Sequence, residues 1–193
     1  MPRAATASEP PQGLVYRPDF ITEDEERALL ATLDEIEFRA VTMRGQTARR
    51  TVRHYGYDYD YETWGKLVPS DPLPASLTWL RDRCASLAEL APEELVQTLV
   101  SRYPPEAPIG WHRDAPMFGP KVVGVSLLSS CRMRFQRQVA GTRTVYELEL
   151  APRSAYVLGG EARTRWQHSI PPTKALRYSI TFRTLKNRSR PAG

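Results

Sequence analysis

In the stretch IGWHRDAPMFGP, residues 109 to 120, His112 and Asp114 stand two positions apart in a chain with only three histidines. Residues i and i+2 of an extended strand point to the same side, so an imidazole and a carboxylate face one point while Arg113 turns away. Two ligands of one metal ion can be supplied in that way, and the site then needs a third. The candidates are His54 and His168. His54 lies in TVRHYGYDYDYE, where it alternates with Gly56, Asp58 and Asp60 opposite four tyrosines, the pattern of a solvated strand face. His168 lies in GGEARTRWQHSIPP, after a Gly-Gly turn and beside Trp166, a setting that suits access to a closed cavity. Two imidazoles and one carboxylate leave three open positions on an octahedral ion, which suits non-haem Fe(II) and oxygen chemistry; on ligands alone zinc is the rival.

Near the C-terminus, RYSITFR separates into an apolar face of Tyr178, Ile180 and Phe182 and a polar face of Arg177, Ser179, Thr181 and Arg183. One reading is an edge strand with a wet outer side. The other is a barrel strand whose polar face lines a cavity and offers two guanidinium groups and two hydroxyls to a small dianion. A dicarboxylate that chelates the metal at one end and pairs with arginine at the other satisfies that face, and it favours iron over zinc.

The elements that must position these groups are legible in outline. TEDE is a Thr-x-x-Glu capping box at Thr22, and Leu29, Leu30, Leu33 and Ile36 follow at helical spacing. A second helix is predicted from about Leu73 to Leu90, with Leu77, Leu80, Cys84 and Leu87 as its apolar stripe. From about Thr98 onward the runs TLVSRY, KVVGVSLL, RMRFQR, TVYELEL, AYVL and LRYSITFRTL are short and β-rich, divided by Pro, Gly and Ser. That pattern implies a sandwich or barrel with two helices laid against it.

A length of 193 residues fits one domain, and no apolar run approaches the length of a membrane span. The first residues, MPRAATASEPPQG, read as a mobile tail. Cys84 and Cys131 form no C-x-x-C pair and fit buried thiols of a reducing compartment, so the cytoplasm is the expected location. A net charge of +5, carried mostly by arginine, pulls modestly toward phosphates.

On SRYPPEAPIGWHRD, LGGEARTRWQHSI and RYSITFR, three motifs in a matching order, the chain resembles the AlkB-like Fe(II)- and 2-oxoglutarate-dependent dioxygenases from Phe20 to Leu185. The resemblance implies an α+β fold with a double-stranded β-helix, or jelly-roll, core over about residues 96–186. It also implies N-terminal helices and a nucleotide-recognition lid over about 38–66, all within a single domain of residues 13–188 after a disordered tail of residues 1–12. His112, Asp114 and His168 would hold the iron and form the catalytic centre. Arg177 would take the distal carboxylate of 2-oxoglutarate, Arg183 would lie near its metal-bound end, and Tyr103 would add a hydrogen bond. Ser101 and Ser179 stand where the family often has asparagine. Family chemistry consumes O2, with ascorbate assisting, and releases succinate and carbon dioxide while a nearby C–H bond is hydroxylated. On an N-methyl group the products are a free amine and formaldehyde.

In that family the segment before the barrel covers the nucleobase. Here it is RRTVRHYGYDYDYE, which as one strand puts Tyr55, Tyr57, Tyr59 and Tyr61 on one face, with Arg49, Arg50 and Arg53 just upstream. Tyrosines stack on an unpaired base and arginines such as Arg53 grip its phosphates; the same rings could instead pack the lid onto the core. Pro116 stands where demethylating relatives commonly carry an acidic residue, and RHYGYDY and GEARTRW are more similar to a branch that hydroxylates a wobble uridine of transfer RNA. The expected function is oxidative removal of N-alkyl or etheno lesions from single-stranded or flipped bases of DNA or RNA. The alternative is hydroxylation of a transfer-RNA nucleoside or a protein side chain, and a weaker one is a non-catalytic nucleic-acid-binding module. A monomer with no membrane partner is expected.

Overall fold

The structure is a computed structural model that describes residues 5–6, 9–43, 45–59 and 67–186. In chain order its elements are β1 (Ala5–Thr6), β2 (Leu14–Arg17), α1 (Glu23–Asp34), β3 (Arg39–Met43), β4 (Gln46–Tyr55), β5 (Tyr57–Tyr59), β6 (Leu67–Pro69) and α2 (Ala75–Leu87). There follow β7 (Gln97–Tyr103), β8 (Ile109–His112), β9 (Phe118–Leu127), β10 (Cys131–Val139), β11 (Thr142–Leu150), β12 (Ser154–Leu158), α3 (Gly160–Thr164), β13 (Gln167–Ile170) and β14 (Arg177–Leu185).

Both long helices start and stop for local reasons. The Thr22 hydroxyl accepts the Glu25 amide, and the Glu25 carboxylate accepts the Thr22 amide, which closes the capping box at the head of α1. The second helix is shorter than its apolar stripe suggests. It begins after Pro74 and ends where Glu89 turns left-handed (φ 54) and the Leu90 amide reaches back to the Ala85 carbonyl.

Two sheets face each other. The larger runs β2-β12-β9-β14-β7-β4-β3 and the smaller β1-β11-β10-β13-β8, while β5 and β6 form a separate ribbon. Strand alternation sorts the larger sheet into two faces. Leu29, Leu33, Leu77, Leu80 and Cys84 of the helices pack on one side against Val100, Val123, Val125, Ile180 and Phe182. Each such leucine, essentially unexposed, contributes about 2 kcal/mol through burial. Between the sheets, Val122, Met133, Phe135, Leu150, Leu158 and Trp166 form a second core. The polar face of β14 is therefore interior, since β14 pairs with β9 on one side and β7 on the other. Its apolar face meets the helices, and no edge is involved.

Three sequence expectations need correction. RHYGYDY is not one strand: Gly56, at φ +76, breaks it into β4 and β5, and an added Cβ there would run into the Val96 carbonyl oxygen. His54 is not on a solvated face; it is 6% exposed and turned toward the sheet interior. The N-terminal segment is not wholly apart from the fold. Ala5 and Thr6 pair in parallel with Thr144 and Val145, and Gln12 accepts the amides of Glu161 and Ala162 through its side-chain and main-chain oxygens. No helix among the described residues is long and apolar enough to cross a membrane.

Candidate functional site

Pairing of β13 with β8 sets His168 directly across from His112, and the two imidazole rings lie 4.2 Å apart between centroids. The main-chain carbonyl of Gly110 can only accept, so the His112 Nδ1–H donates to it at 2.8 Å, and the Nε2 lone pair is left free. Asp114 follows just beyond the end of β8. Its Oδ2 is 3.8 Å from His168 Nε2, and its Oδ1 is 2.8 Å from Arg183 Nη2. Arg113 is exposed and donates to the Thr164 carbonyl.

Electrostatics prepare all three groups for ligation. Burial opposes ionisation of Asp114, but Arg183, then His168, His112 and Arg163, outweigh it and hold the carboxyl well below the usual carboxylate range. Burial, reinforced by His112, pushes His168 down from 6.5 to about 3, and burial likewise lowers His112. Two neutral imidazoles and one carboxylate are the protonation states a divalent metal requires.

These residues open into a cavity of about 370 Å³ that is also lined by Ser101, Tyr103, Ser179, Thr181 and Arg183, with Arg50, Trp111, Phe118, Met133, Tyr156 and Ile170 around them. Ser101, Ser179, Ser126 and Ser154 form one row across β7, β14, β9 and β12, and small hydroxyls there leave depth beneath the site. Tyr156 lies so close over Gly124 that a Cβ there would overlap its ring. Arg177 is 1% exposed, with its guanidinium 5.2 Å above the Tyr103 ring. Its Nε donates to Ser126 Oγ at 3.1 Å, but Nη1 and Nη2 are buried with no partner. Two unsatisfied donors on a buried cation carry a large desolvation cost, and a carboxylate accepts both at once.

The fold thus brings together His112, Asp114, His168, Ser101, Tyr103, Ser179 and Arg183 around one cavity, with Arg177 against its wall. It does not bring Arg53, Tyr55 and Tyr57 there. Arg53 pairs with Asp71, Tyr55 packs in the helix-side core, and Tyr57 lines a separate hollow with Leu73, Arg81 and Leu95. The Tyr59 side chain and all of Tyr61 lie outside the described residues. His54 is also set apart from the trio, linked to it through Gln97, whose Nε2 donates to His54 Nδ1 (3.1 Å) while its Oε1 accepts from Arg183 (3.2 Å).

Sequence reading missed Arg163 altogether. It is buried in α3 and donates to the carbonyls of Asp114, Ala115 and Phe118, so it fastens the loop that carries the carboxylate. Gln97 and Arg163 work through long-range contacts, and no local spacing announces them.

Among the described residues no trio of His, Cys, Asp and Glu is drawn up as a ready-made metal cluster, and in this trio Arg183 draws Asp114 Oδ1 aside. The donor chemistry nonetheless fits a divalent ion, with Nε2 of His112 free and Oδ2 of Asp114 turned to His168. The orphaned Nη groups of Arg177 fit the far carboxylate of a dicarboxylate.

Comparison with known proteins agrees with that chemistry. A family model described as the 2OG-Fe(II) oxygenase superfamily matches residues 13–183. The chain is 30% identical over 209 residues to the Alkylated DNA repair protein ALKBH8 homolog of Arabidopsis thaliana, covering 91% of this chain and 59% of that protein. It is 28% identical over 171 residues to the tRNA (carboxymethyluridine(34)-5-O)-methyltransferase alkbh8 of Xenopus tropicalis, covering 85% of this chain and 26% of that protein. The fold is similar to the solved structure of OsALKBH1, with a TM-score of 0.66 at 16% identity over 92% of this chain and all of that one.

Proposed function

The chain belongs to the 2OG-Fe(II) oxygenase superfamily, a family of oxidoreductases, and from that premise we propose that it oxidises a carbon substituent on a nucleobase of DNA or RNA and so removes N-alkyl or etheno lesions. The observation that supports the cofactor half of this reading is the unsatisfied, buried Arg177 beside a cavity that holds His112, Asp114 and His168. The names of the relatives, a net charge of +5, and Trp111 at the cavity with Arg134 and Arg143 over its ring support the nucleic-acid half.

Bound Fe(II) and 2-oxoglutarate would supply oxidation of a substrate C–H bond by O2, coupled to breakdown of the 2-oxo acid to succinate and carbon dioxide. The chain's own residues do the rest. Nε2 of His112, Nε2 of His168 and a carboxylate oxygen of Asp114 would hold the metal, and Arg183 keeps Asp114 ionised. Arg177, with the Tyr103 ring beneath its guanidinium, takes the distal carboxylate, and Ser101 and Ser179 offer hydroxyls along its length. Phe118, Met133, Tyr156 and Ile170 give the cavity apolar walls that exclude bulk water, where charge-assisted hydrogen bonds are strongest.

A second reading, hydroxylation of a transfer-RNA nucleoside, is favoured by the match to the Xenopus protein along most of this chain. One experiment separates the two. The protein with Fe(II), 2-oxoglutarate and ascorbate is given single-stranded oligonucleotides carrying 1-methyladenine, 3-methylcytosine or 1,N6-ethenoadenine, and in parallel unmodified and modified transfer RNA. Lesion-dependent formaldehyde or adduct loss is expected on the repair reading. Product on transfer RNA alone replaces it with the second, and succinate that no nucleic acid stimulates moves the substrate to another class.

A further inference from the structure

Arg50 is a buried cation of the cavity to which the chemistry above gives no task. Val52 pairs with Ser101 across β4 and β7, and both are buried on the cavity side. Arg50, two residues from Val52, shares that side and lines the cavity with Trp111 and His112. It is 8% exposed, and among the described residues its guanidinium has neither a hydrogen-bond nor an ion-pair partner. Arg53, three residues on and turned the opposite way, is paired with Asp71.

Charge counting assigns the missing partner. The carboxylate of Asp114 is held by Arg183. A dicarboxylate with one end on the metal and the other on Arg177 has no charge left to give. Arg50 also sits two strands away from β14, about 10 Å at the spacing of sheet strands. We propose that Arg50 binds an oxyanion of the substrate, a carboxylate on the base or the phosphate of the same nucleotide, beside the carbon that is oxidised. This rests on the nucleobase reading above and makes it narrower: neutral bases without an anion in reach are poor substrates.

The test uses the full chain with 2-oxoglutarate and Mn(II) in place of iron, so that binding is read without turnover, by calorimetry. The probes are a uridine trinucleotide, the same with an uncharged methylphosphonate at the central 5′ position, and the same with a central 5-carboxyuridine. The wild type is expected to bind one anionic form roughly tenfold to a hundredfold more tightly than its less charged counterpart. Arg50→Met removes that contrast, Arg50→Lys keeps part of it, and neither changes 2-oxoglutarate affinity. The pair that shows the contrast tells phosphate from carboxylate. Because a buried unpaired charge opposes folding, Arg50→Met should unfold no earlier than the wild type.

Contrasts that persist in Arg50→Met, or a wild type with none, overturn the assignment to Arg50 alone. Loss of 2-oxoglutarate binding in Arg50→Met overturns it by giving the residue to the co-substrate. A wild type that binds no trinucleotide at all takes the nucleobase reading down with it.

Discussion

At the scale of single residues, the site is defined by which polar atoms are satisfied and which are not. The terminal nitrogens of Arg163 donate to main-chain carbonyls and those of Arg183 to Asp114 and Gln97, with only Nε of each left without a partner, so both serve to hold other groups in place. Arg177 keeps two donors unpaired. Replacing it with methionine therefore should not weaken the fold but should remove the partner of the distal carboxylate. A loss on the order of 3 kcal/mol, more than a hundredfold in 2-oxoglutarate affinity, is expected. Thermal shift checks this directly: 2-oxoglutarate raises the midpoint of the wild type by mass action and leaves that of Arg177→Met unmoved. An equal shift in both would relocate the carboxylate contact.

At the scale of elements, what could be read in advance depended on how far each signal travels along the chain. The alternation in RYSITFR separated a helix-facing row from a cavity-facing row because β14 is a central strand whose register stays regular from Arg177 to Arg183, shifting only beyond it. The capping box at Thr22 was equally local. RHYGYDY misled because alternation carries no mark of a corner. Gly56 reverses the chain there, its amide donating to Asp71 and its carbonyl accepting from Ser70, so tyrosines on opposite sides of the glycine belong to different sheets. Even positions of β4 face the cavity, which left Arg50 in the site and Arg53 outside it. Gly56→Ala should cost about 1 to 3 kcal/mol, since it combines a left-handed φ with a clash against a main-chain oxygen. Urea unfolding measures it, and a change within 0.5 kcal/mol of zero would mean the corner can relax.

At the scale of the whole molecule, stability and pH are tied through His54. Burial, opposed in part by Asp58, lowers it from 6.5 to about 4. Between those values the unfolded chain binds the proton and the folded chain does not, so protons favour unfolding. His54 costs nothing above about pH 6.5, destabilises progressively as pH falls toward 4, and adds no further loss below that. The total is on the order of 3 kcal/mol. His54→Gln, which keeps a polar group beside Gln97, should be less sensitive than the wild type to acidification from pH 7 to 4.5 in urea melts. Parallel pH profiles of the two proteins would contradict the shift.

The same scale governs metal removal. The helix-side core and the inter-sheet core are built from other residues than the trio proposed to hold the metal, so treatment with EDTA should leave a cooperative unfolding transition and an unchanged circular dichroism spectrum, unlike small domains that fold only around their ion. The contact between Arg183 and Asp114 extends this point from the test tube to synthesis. A cation built into the chain already neutralises the carboxylate proposed to take the metal, so a newly made molecule would not need iron in order to stay folded. Cells short of iron would accumulate a finished, idle stock of this protein, and activity would return with the metal alone, at the speed of diffusion and without new translation.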